Sequence, residues 1–149
     1  MENKITIIEP KSGDELKKYY SLRFEILRKP WNQPESSTKD EWEKNSIHVM
    51  AVNEKNEAVA VGRLQLNSEA EGQIRSMAVR GDLQGKGLGS LIINYIEEKA
   101  KEKNLPEIIL DARENAVSFY EKHGYQILGD SYLLFGIIKH YRMNKKIRS

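Results

Sequence analysis

The stretch from Ile74 to Asn104, IRSMAVRGDLQGKGLGSLIINYIEEKAKEKN, decides the organisation of the chain. Its pattern predicts a strand, then a glycine loop, then an amphipathic helix. The apolar stripe of that helix consists of Leu88, Leu91, Ile92, Tyr95, Ile96 and Ala100. The residues expected to face away are Ser90, Asn94, Glu97, Glu98, Lys101 and Glu102. Asn104 and then Pro106 predict the end of the helix.

The loop from Gln84 to Gly89 has glycine at three alternate positions. So little side-chain bulk lets a ligand approach the backbone, and the helix N-terminus that follows offers N–H groups and a dipole that suit a phosphate or pyrophosphate. A tight turn without a ligand is the alternative, although such a turn needs one glycine rather than three. Two phosphate motifs do not fit. The spacing from Gly81 to Gly85 is one residue short of the Walker pattern, and Ser90 stands at the third glycine of the dinucleotide pattern.

Composition limits the classes of function. We expect 149 residues to form a single domain, residues 1–149, with a core large enough to be stable without disulfide bonds or a structural metal. The chain has no cysteine and three well-separated histidines, which argues against disulfides, a cysteine nucleophile or a bound metal. A net charge of +2 without a basic run argues against nucleic acid as a partner. Because no long apolar segment occurs, we expect no membrane partner and a cytoplasmic monomer or homodimer.

The rest of the chain predicts alternating strands and helices. A capping box at Ser12 and Glu15 predicts a helix to about Arg28. The predicted strands cover 5–8, 47–52, 58–64, 74–79, 108–110, 125–128 and 132–143, and a second helix covers 115–123. The run 108–110 is typical of a strand buried on both faces. This pattern favours an α/β fold, with one central mixed sheet and helices on both of its faces.

A second motif, NAVSFYEKHGY, extends from Asn115 to Tyr125. Asn115 stands where a helix N-cap is needed, and Gly124 stands where a helix C-terminal glycine is needed. Phe119 and Tyr120 are candidate core aromatics. Each of these residues therefore has a purely structural explanation.

Together the two motifs resemble those of the GNAT N-acetyltransferase superfamily. Its cofactor loop has the pattern Q/R-x-x-G-x-G/A, matched here by Gln84, Gly87 and Gly89, after a strand that ends in apolar-Ala-Val. Its second motif has the form N-A-x-x-F/L-Y-x-x-x-G-F/Y. The resemblance implies a three-layer GNAT sandwich that uses acetyl-CoA to acetylate an amine acceptor. It also implies cofactor-binding residues at Met77, Ala78, Val79, Gln84, Gly85, Lys86, Gly87, Leu88, Gly89, Ser90, Asn115 and Tyr120.

The chemistry of amine acetylation suits these residue types. By the resemblance, Asn115 bonds the pantetheine arm and the Tyr120 hydroxyl lies beside the thioester sulfur. A backbone N–H near Val79 could stabilise the oxyanion, and Tyr120 could protonate the departing thiolate. Since the chain has no cysteine, direct transfer to the amine is the economical mechanism. A module that binds acyl-CoA without turnover is the alternative function.

His140 is the candidate for the base that deprotonates the amine, or for a group that orients the substrate. A hydrogen-bonded structural histidine is the alternative. The C-terminal segment resembles the G-I-x-H-x-x-M of the ElaA-like GNAT branch, which also has L-R-x-E in its first helix. This implies an acceptor side that includes Arg23, Glu25, His140 and the segment 27–30. For Arg23 a packed stem with a solvated head is equally open. The acidic residues of 35–43 either attract a cationic amine or form a solvated face.

Overall fold

The structure, a computed structural model, describes residues 4–147. Seven strands form one mixed sheet in the order β1-β2-β3-β4-β5-β7-β6. The strands are β1 (Thr6–Ile8), β2 (Ser46–Val52), β3 (Ala58–Leu66), β4 (Glu71–Val79), β5 (Glu107–Arg113), β6 (Gln126–Leu134) and β7 (Ile138–Lys146). Only β4 and β5 pair in parallel; the other neighbours are antiparallel. The helix that joins β4 to β5 is the crossover that parallel pairing requires.

Three α-helices accompany the sheet: α1 (Gly13–Leu27), α2 (Leu88–Glu102) and α3 (Val117–Lys122). Short 3-10 turns occupy Lys29–Trp31, Glu35–Thr38, Glu43–Asn45, Gly81–Leu83 and Glu114–Ala116. The predicted capping box is confirmed, because Ser12 and Glu15 each accept a backbone N–H from the other. Asn104 follows the end of α2 in the left-handed region (φ 58°), which ends the helix as predicted.

Helices α1 and α2 pack on opposite faces of the sheet. The core on the α2 face includes Val49, Ala51, Leu64, Ile74, Ile92 and Ile96. The core on the α1 face includes Tyr19, Leu22, Met50, Val61 and Ala78. The two sets alternate along the strands, since neighbouring strand residues point to opposite faces. The α/β three-layer architecture is therefore confirmed.

The buried face of α2 is rotated slightly from the predicted stripe. Leu91 is 41% exposed, whereas Ile93, assigned to neither face by the sequence, is fully buried. Glu97 was expected to face solvent but accepts hydrogen bonds from Tyr125 and Lys145. The physical reason is that α2 contacts the sheet on one side and Tyr125 on another, so its covered surface is wider than one stripe.

The C-terminal hairpin turns later than predicted. The sequence suggested a turn between 128 and 132, but β6 continues to Leu134 and the turn lies at 135–137. Phe135 and Gly136 both have positive φ there, at 54° and 74°. The polar residues near Asp130 instead accompany irregularities in the pairing of β6 with β7.

Strands β4 and β5 separate halfway along their length. Their ladder runs from Glu71↔Glu107 to Ile74↔Leu110 and stops there. Beside this point β4 is bulged, because its register against β3 shifts and Ser76 adopts a positive φ of 57°. The divergence opens a cleft at the centre of the sheet. Within residues 4–147, no helix is both long and apolar enough to cross a membrane.

Candidate active site

Two of the three loop glycines have backbone angles that glycine adopts most readily. Gly85 has φ 80° and Gly87 has φ 84°, and a Cβ on either would meet no described atom within 4 Å. Gly89 differs because it lies in α2, where a Cβ would be 3.0 Å from Phe119 Cζ. A side chain at position 89 would therefore press against the Phe119 ring of α3, while the first two glycines shape an open loop.

The loop delivers the N-terminus of α2 without a side-chain cap. Gly87 is the N-cap residue, so the N–H groups of the first turn keep their capacity to bind an anion. Gln84 ties the loop to the end of β4 by donating from Nε2 to the Val79 carbonyl at 3.3 Å. Lys86 is exposed, and the Ser90 hydroxyl lies 2.9 Å from Nε2 of His123. The cradle is open, cationic at one side and suited to a phosphate group.

A cavity of about 250 Å³ lies at the divergence of β4 and β5. Its lining is Leu27, Arg28, Ile74, Arg75, Ser76, Met77, Asp111, Ala112, Arg113, Ala116, Tyr120, Tyr132, Leu134 and His140. These residues come from the end of α1, from four strands, and from α3 with the turn before it. Both predicted catalytic residues, Tyr120 and His140, line this one cavity although they are separated in sequence.

Tyr120 contributes its side chain from α3 and is only 8% exposed. Burial raises the pKa of its hydroxyl well above the ordinary value, and Arg113 offsets this only in part. The phenol therefore stays protonated at neutral pH. A protonated hydroxyl in the cavity wall is a proton donor for a group that becomes basic there.

His140 is 3% exposed and its ring stacks on Tyr132 with centroids 4.5 Å apart. Its Nδ1 lies 3.0 Å from the carbonyl oxygen of Ile138. A carbonyl can only accept, so the proton of the neutral ring is on Nδ1 and the lone pair is on Nε2. Burial lowers the pKa of His140, although the bond to Ile138 opposes the change. The neutral form, which can accept a proton, is favoured.

Asp111 is the only carboxylate in the cavity wall formed by the described residues, and both of its oxygens are engaged. Arg142 donates to Oδ1 at 2.7 Å and to Oδ2 at 3.2 Å. Ser131 donates to Oδ1 at 2.6 Å, and Gln73 donates to Oδ2 at 3.3 Å. Each oxygen of Asp111 therefore already accepts two hydrogen bonds from the protein, which gives this side chain a structural role in the cavity wall.

The residues at the end of β4 divide between cavity and core. Met77 lines the cavity. Ala78 is 4% exposed and belongs to the α1-face core, and Val79 pairs with Ala60. Ser76 and Met77 are left out of the described ladder pairs, because the bulge removes them from register with β3.

Asn115 does not cap α3. It lies exposed in the 3-10 turn Glu114–Ala116, and the N-cap position of α3 is Ala116, with no side-chain capping bond. The capping role inferred from sequence is therefore wrong, because the 3-10 turn moves the N-cap by one residue, from Asn115 to Ala116. Its proposed bond to the pantetheine arm stays a prediction.

Arg23 and Glu25 are not brought to the cavity. Arg23 is 1% exposed and donates to the Thr38 carbonyl, the Tyr19 hydroxyl and the Glu43 carboxylate. Glu25 is exposed on the other side of α1. Of the predicted acceptor-side residues, the cavity receives His140, Leu27 and Arg28.

The acidic segment before β2 is divided: Glu35 and Glu41 are exposed to solvent, whereas Asp40 and Glu43 form ion pairs within the protein. Glu43 pairs with Arg23 and Arg63, and Asp40 pairs with Arg63, which is fully buried. Despite an opposing effect of burial, the Arg63 hydrogen bonds hold the pKa of Asp40 at about 2. These carboxylates fasten the segment to α1 and β3.

Sequence reasoning missed Arg75, Asp111, Arg113 and Tyr132 as cavity residues. A weak signal existed, because Arg75 directly follows the apolar Ile74 and Arg113 directly follows Ala112, each a charged residue within a predominantly apolar stretch. Among residues 4–147, no three His, Cys, Asp or Glu side chains gather as a metal site would require.

The chain matches the acetyltransferase (GNAT) family over residues 16–125. It is 30% identical over 135 residues to the N-acetyltransferase YjcF of Bacillus subtilis, covering 91% of this chain and 95% of that protein. An aminoglycoside 6'-N-acetyltransferase solved with coenzyme A has a TM-score of 0.81 at 18% identity, covering 98% of each chain. ElaA of Escherichia coli has a TM-score of 0.77 at 17% identity, covering 97% of this chain and 99% of that one.

The two solved structures show that this chain shares their fold. The family match and the 30% identity to YjcF show that the sequences are related. The chain belongs to the acetyltransferase (GNAT) family, and it is an acyl-CoA-dependent N-acetyltransferase.

Proposed function

We propose that the chain transfers the acetyl group of acetyl-CoA directly to a primary amine of a small molecule or peptide, with His140 as base and Tyr120 as acid. One observation carries this proposal: both side chains line the same cavity, at the divergence of β4 and β5. They enter it from different elements, α3 and β7. Such convergence is what a site of proton transfer requires.

The donor is proposed to bind along the loop and the cleft. Residues 84–90 would hold its pyrophosphate, because Gly85 and Gly87 keep this loop open and α2 lacks a side-chain cap. Met77, Ala78, Val79 and Asn115 would hold the pantetheine arm. The gap between β4 and β5 supplies a path from this loop to the cavity.

The proton transfers follow from the two protonation states. His140 Nε2 takes a proton from the ammonium group, and the amine nitrogen attacks the thioester carbonyl carbon. The carbon–sulfur bond then breaks, the Tyr120 hydroxyl gives its proton to the sulfur, and the extra proton that leaves the new amide nitrogen restores that hydroxyl. The proton taken by His140 passes to solvent. Burial raises the pKa of Tyr120, yet the same burial also makes a thiolate more basic, so the transfer remains feasible.

The developing oxyanion needs hydrogen-bond donors on the other side of the carbonyl. The bulge of β4 removes Ser76 and Met77 from the ladder with β3 and bends the backbone beside the cavity. Backbone N–H groups between this bulge and Val79 are therefore the proposed donors. We further propose a single domain over residues 1–149, supported by a sheet that includes both β1 and β7, and a cytoplasmic monomer or homodimer.

The test is release of free thiol from acetyl-CoA in the presence of a panel of primary amines, with the acetylated product identified by mass spectrometry. Wild-type kcat/KM should fall as the pH drops below about 6.5, since the pKa of His140 lies below its ordinary value. This acid limb should be absent from His140→Gln. Acetyl-CoA binding without thiol release for any amine would instead support the alternative, a binding module.

A further inference from the structure

The cavity contains three arginines, Arg28, Arg75 and Arg113, against a single carboxylate among its described lining residues. They come from separate elements: the end of α1, the middle of β4 and the end of β5. Arg75 and Arg113 lie on the same face of the sheet as Asp111, because Arg113 is two residues beyond Asp111 and Arg75 alternates with Ile74 of the α2-face core. Folding thus assembles a cationic wall that no local motif encodes.

This charge is not balanced within the described part of the chain. Asp111 is engaged by Arg142, which is not one of the lining residues. Arg28 donates only to the carbonyls of Ser37 and Leu27, which carry no formal charge. The side chains of Arg75 and Arg113 make no hydrogen bond or ion pair with any residue from 4 to 147, although both residues are half-buried.

Two more deeply buried arginines differ from the cavity arginines because they have carboxylate partners. Arg23 and Arg63 are almost completely buried, and each has at least one carboxylate partner. The fold therefore neutralises arginines that serve packing. A partly desolvated guanidinium without a partner is unfavourable, and burial accordingly lowers the pKa of Arg113.

We infer that the acceptor amine carries an anionic oxyacid group, a carboxylate or a phosphate, and that Arg75 and Arg113 bind it. This inference rests on the proposed function. A guanidinium offers paired N–H donors that match the oxygens of either anion, and such charge-assisted bonds are the stronger kind. The cavity volume of about 250 Å³ equals roughly eight water volumes. A small amino acid or a short aminoalkyl phosphate fits this space.

The donor's own phosphates do not account for the arginines. None of the residues from 84 to 90 lines the cavity, whereas Tyr120 and His140 do. The unpaired arginines are thus beside the proposed site of proton transfer and not beside the pyrophosphate loop. Their ligand belongs to the acceptor, and its anionic group must lie a short distance from the amine that His140 deprotonates.

The experiment compares matched amines with acetyl-CoA and the wild-type enzyme. Carboxylate acceptors such as glycine, β-alanine and 4-aminobutyrate are each compared with their carboxamides, and phosphoethanolamine is compared with ethanolamine. For at least one pair, kcat/KM for the anion should exceed that for the neutral partner by roughly tenfold to a hundredfold. The carboxylate and phosphate pairs distinguish the two forms of the anion.

Variants then assign the preference to the cavity arginines. Arg75→Gln and Arg113→Gln should each remove most of the preference by raising KM for the anionic acceptor, and Arg113→Lys should restore part of it. The Kd for acetyl-CoA should stay unchanged in all three. The control is Arg80→Gln, because Arg80 pairs with Asp82 near the loop and does not line the cavity.

The outcomes distinguish a failure of the anionic acceptor from a failure of the proposed acetyl transfer. Equal turnover of charged and neutral amines, or a preference that survives both glutamine variants, overturns the anionic acceptor and leaves the acetyltransferase mechanism intact. If none of the amines in the panel, charged or neutral, leads to release of thiol from acetyl-CoA, the proposed direct transfer is overturned. The inference then falls with it.

Discussion

Replacing Glu43 with glutamine removes one charge from the most buried ion cluster of the molecule. The Glu43 side chain is 15% exposed, and its oxygens accept from Arg23, Arg63 and Tyr20. The two arginine side chains are 1% and 0% exposed. Glutamine keeps the shape and one acceptor oxygen, but its NH2 group cannot accept, so the change removes the charge together with the hydrogen bonds that one oxygen accepts.

The expected loss of stability depends on which hydrogen-bond and ion-pair partners the two arginines keep in the variant. Arg63 keeps Asp40 as a carboxylate partner, whereas Arg23 keeps only the Thr38 carbonyl and the Tyr19 hydroxyl. Breaking a buried pair costs about 3–5 kcal/mol, and the retained partners favour the lower end. Since about 1 kcal/mol shifts the Tm of a domain of this size by roughly 2–4 °C, about 3 kcal/mol lowers Tm by roughly 6–12 °C.

Thermal and urea unfolding of Glu43→Gln measure this loss, with Glu41→Gln as the control. Glu41 lies in the same segment but is exposed, so its variant should melt within about a degree of wild type. A Tm for Glu43→Gln that equals the control would refute the structural role of the cluster. A changed KM for the acceptor at unchanged stability would instead restore Arg23 to the acceptor side, as the sequence resemblance implied.

Three further predictions concern the site. Tyr120→Phe should lower turnover by roughly a hundredfold or more while the Kd for acetyl-CoA, measured by calorimetry, stays within a few-fold, because only the acid is removed. Gly87→Val should weaken acetyl-CoA binding by roughly tenfold or more in the same assay, since Gly87 has φ 84° and lies in the open loop. Burial lowers the pKa of both His48 and His140, so the unfolded chain binds more protons below about pH 6.5, and the urea midpoint should fall as the pH is lowered from about 7.5 to about 5.5.

Each of these predictions has its own control. Tyr95→Phe removes a hydroxyl that bonds Glu9, away from the cavity, and should keep full turnover. Gly136→Val introduces the same kind of strain at φ 74° outside the loop, so unchanged acetyl-CoA binding there with weakened binding in Gly87→Val assigns the effect to the loop. A urea midpoint that rises with falling pH would contradict the buried, neutral histidines.

The backbone of the loop proposed for the donor could be predicted from sequence because its determinants are local. Gln84, Gly87 and Gly89 lie within six residues at the junction of the loop and α2, and their backbone requirements follow from the glycine content and from the helix. Tyr120 could be singled out from sequence for the same reason, because the motif that contains it is compact and lies on α3. The capping box at Ser12 likewise needs only residues three apart.

The acceptor half could not be predicted because its determinants are partners distant in sequence. Nothing local distinguishes Arg23, which pairs with Glu43, from Arg75, which pairs with no described residue. The sequence predicted a strand over 58–64, but it did not indicate that Arg63 is fully buried, which is possible because Asp40 and Glu43 pair with it. Whether an arginine serves packing or a ligand depends on where a remote carboxylate lies.

A row of hydrogen-bonded polar side chains on the α1 face connects the buried Arg63 with Asp111 in the cavity wall. Hydrogen bonds run from Arg63 to Gln65, from Gln65 to Asn67, from Asn67 to Gln73, and from Gln73 to Asp111. Each buried amide is satisfied by the next, so the row avoids the cost of about 1–3 kcal/mol for an unpaired polar group. Its last member, Asp111, is thereby fixed beside Arg142 at the edge of the cavity.

This fixed position yields a prediction that identifies the base. Arg142, Ser131 and Gln73 together donate two hydrogen bonds to each oxygen of Asp111, so both oxygens are engaged by the protein itself. Asp111→Asn should therefore destabilise the protein by about 1–3 kcal/mol in urea unfolding yet retain the acid limb of kcat/KM, since that limb belongs to His140. If the limb disappears from Asp111→Asn and persists in His140→Gln, the carboxylate is the base, and the stacked, neutral imidazole serves only to hold β6 and β7 in place.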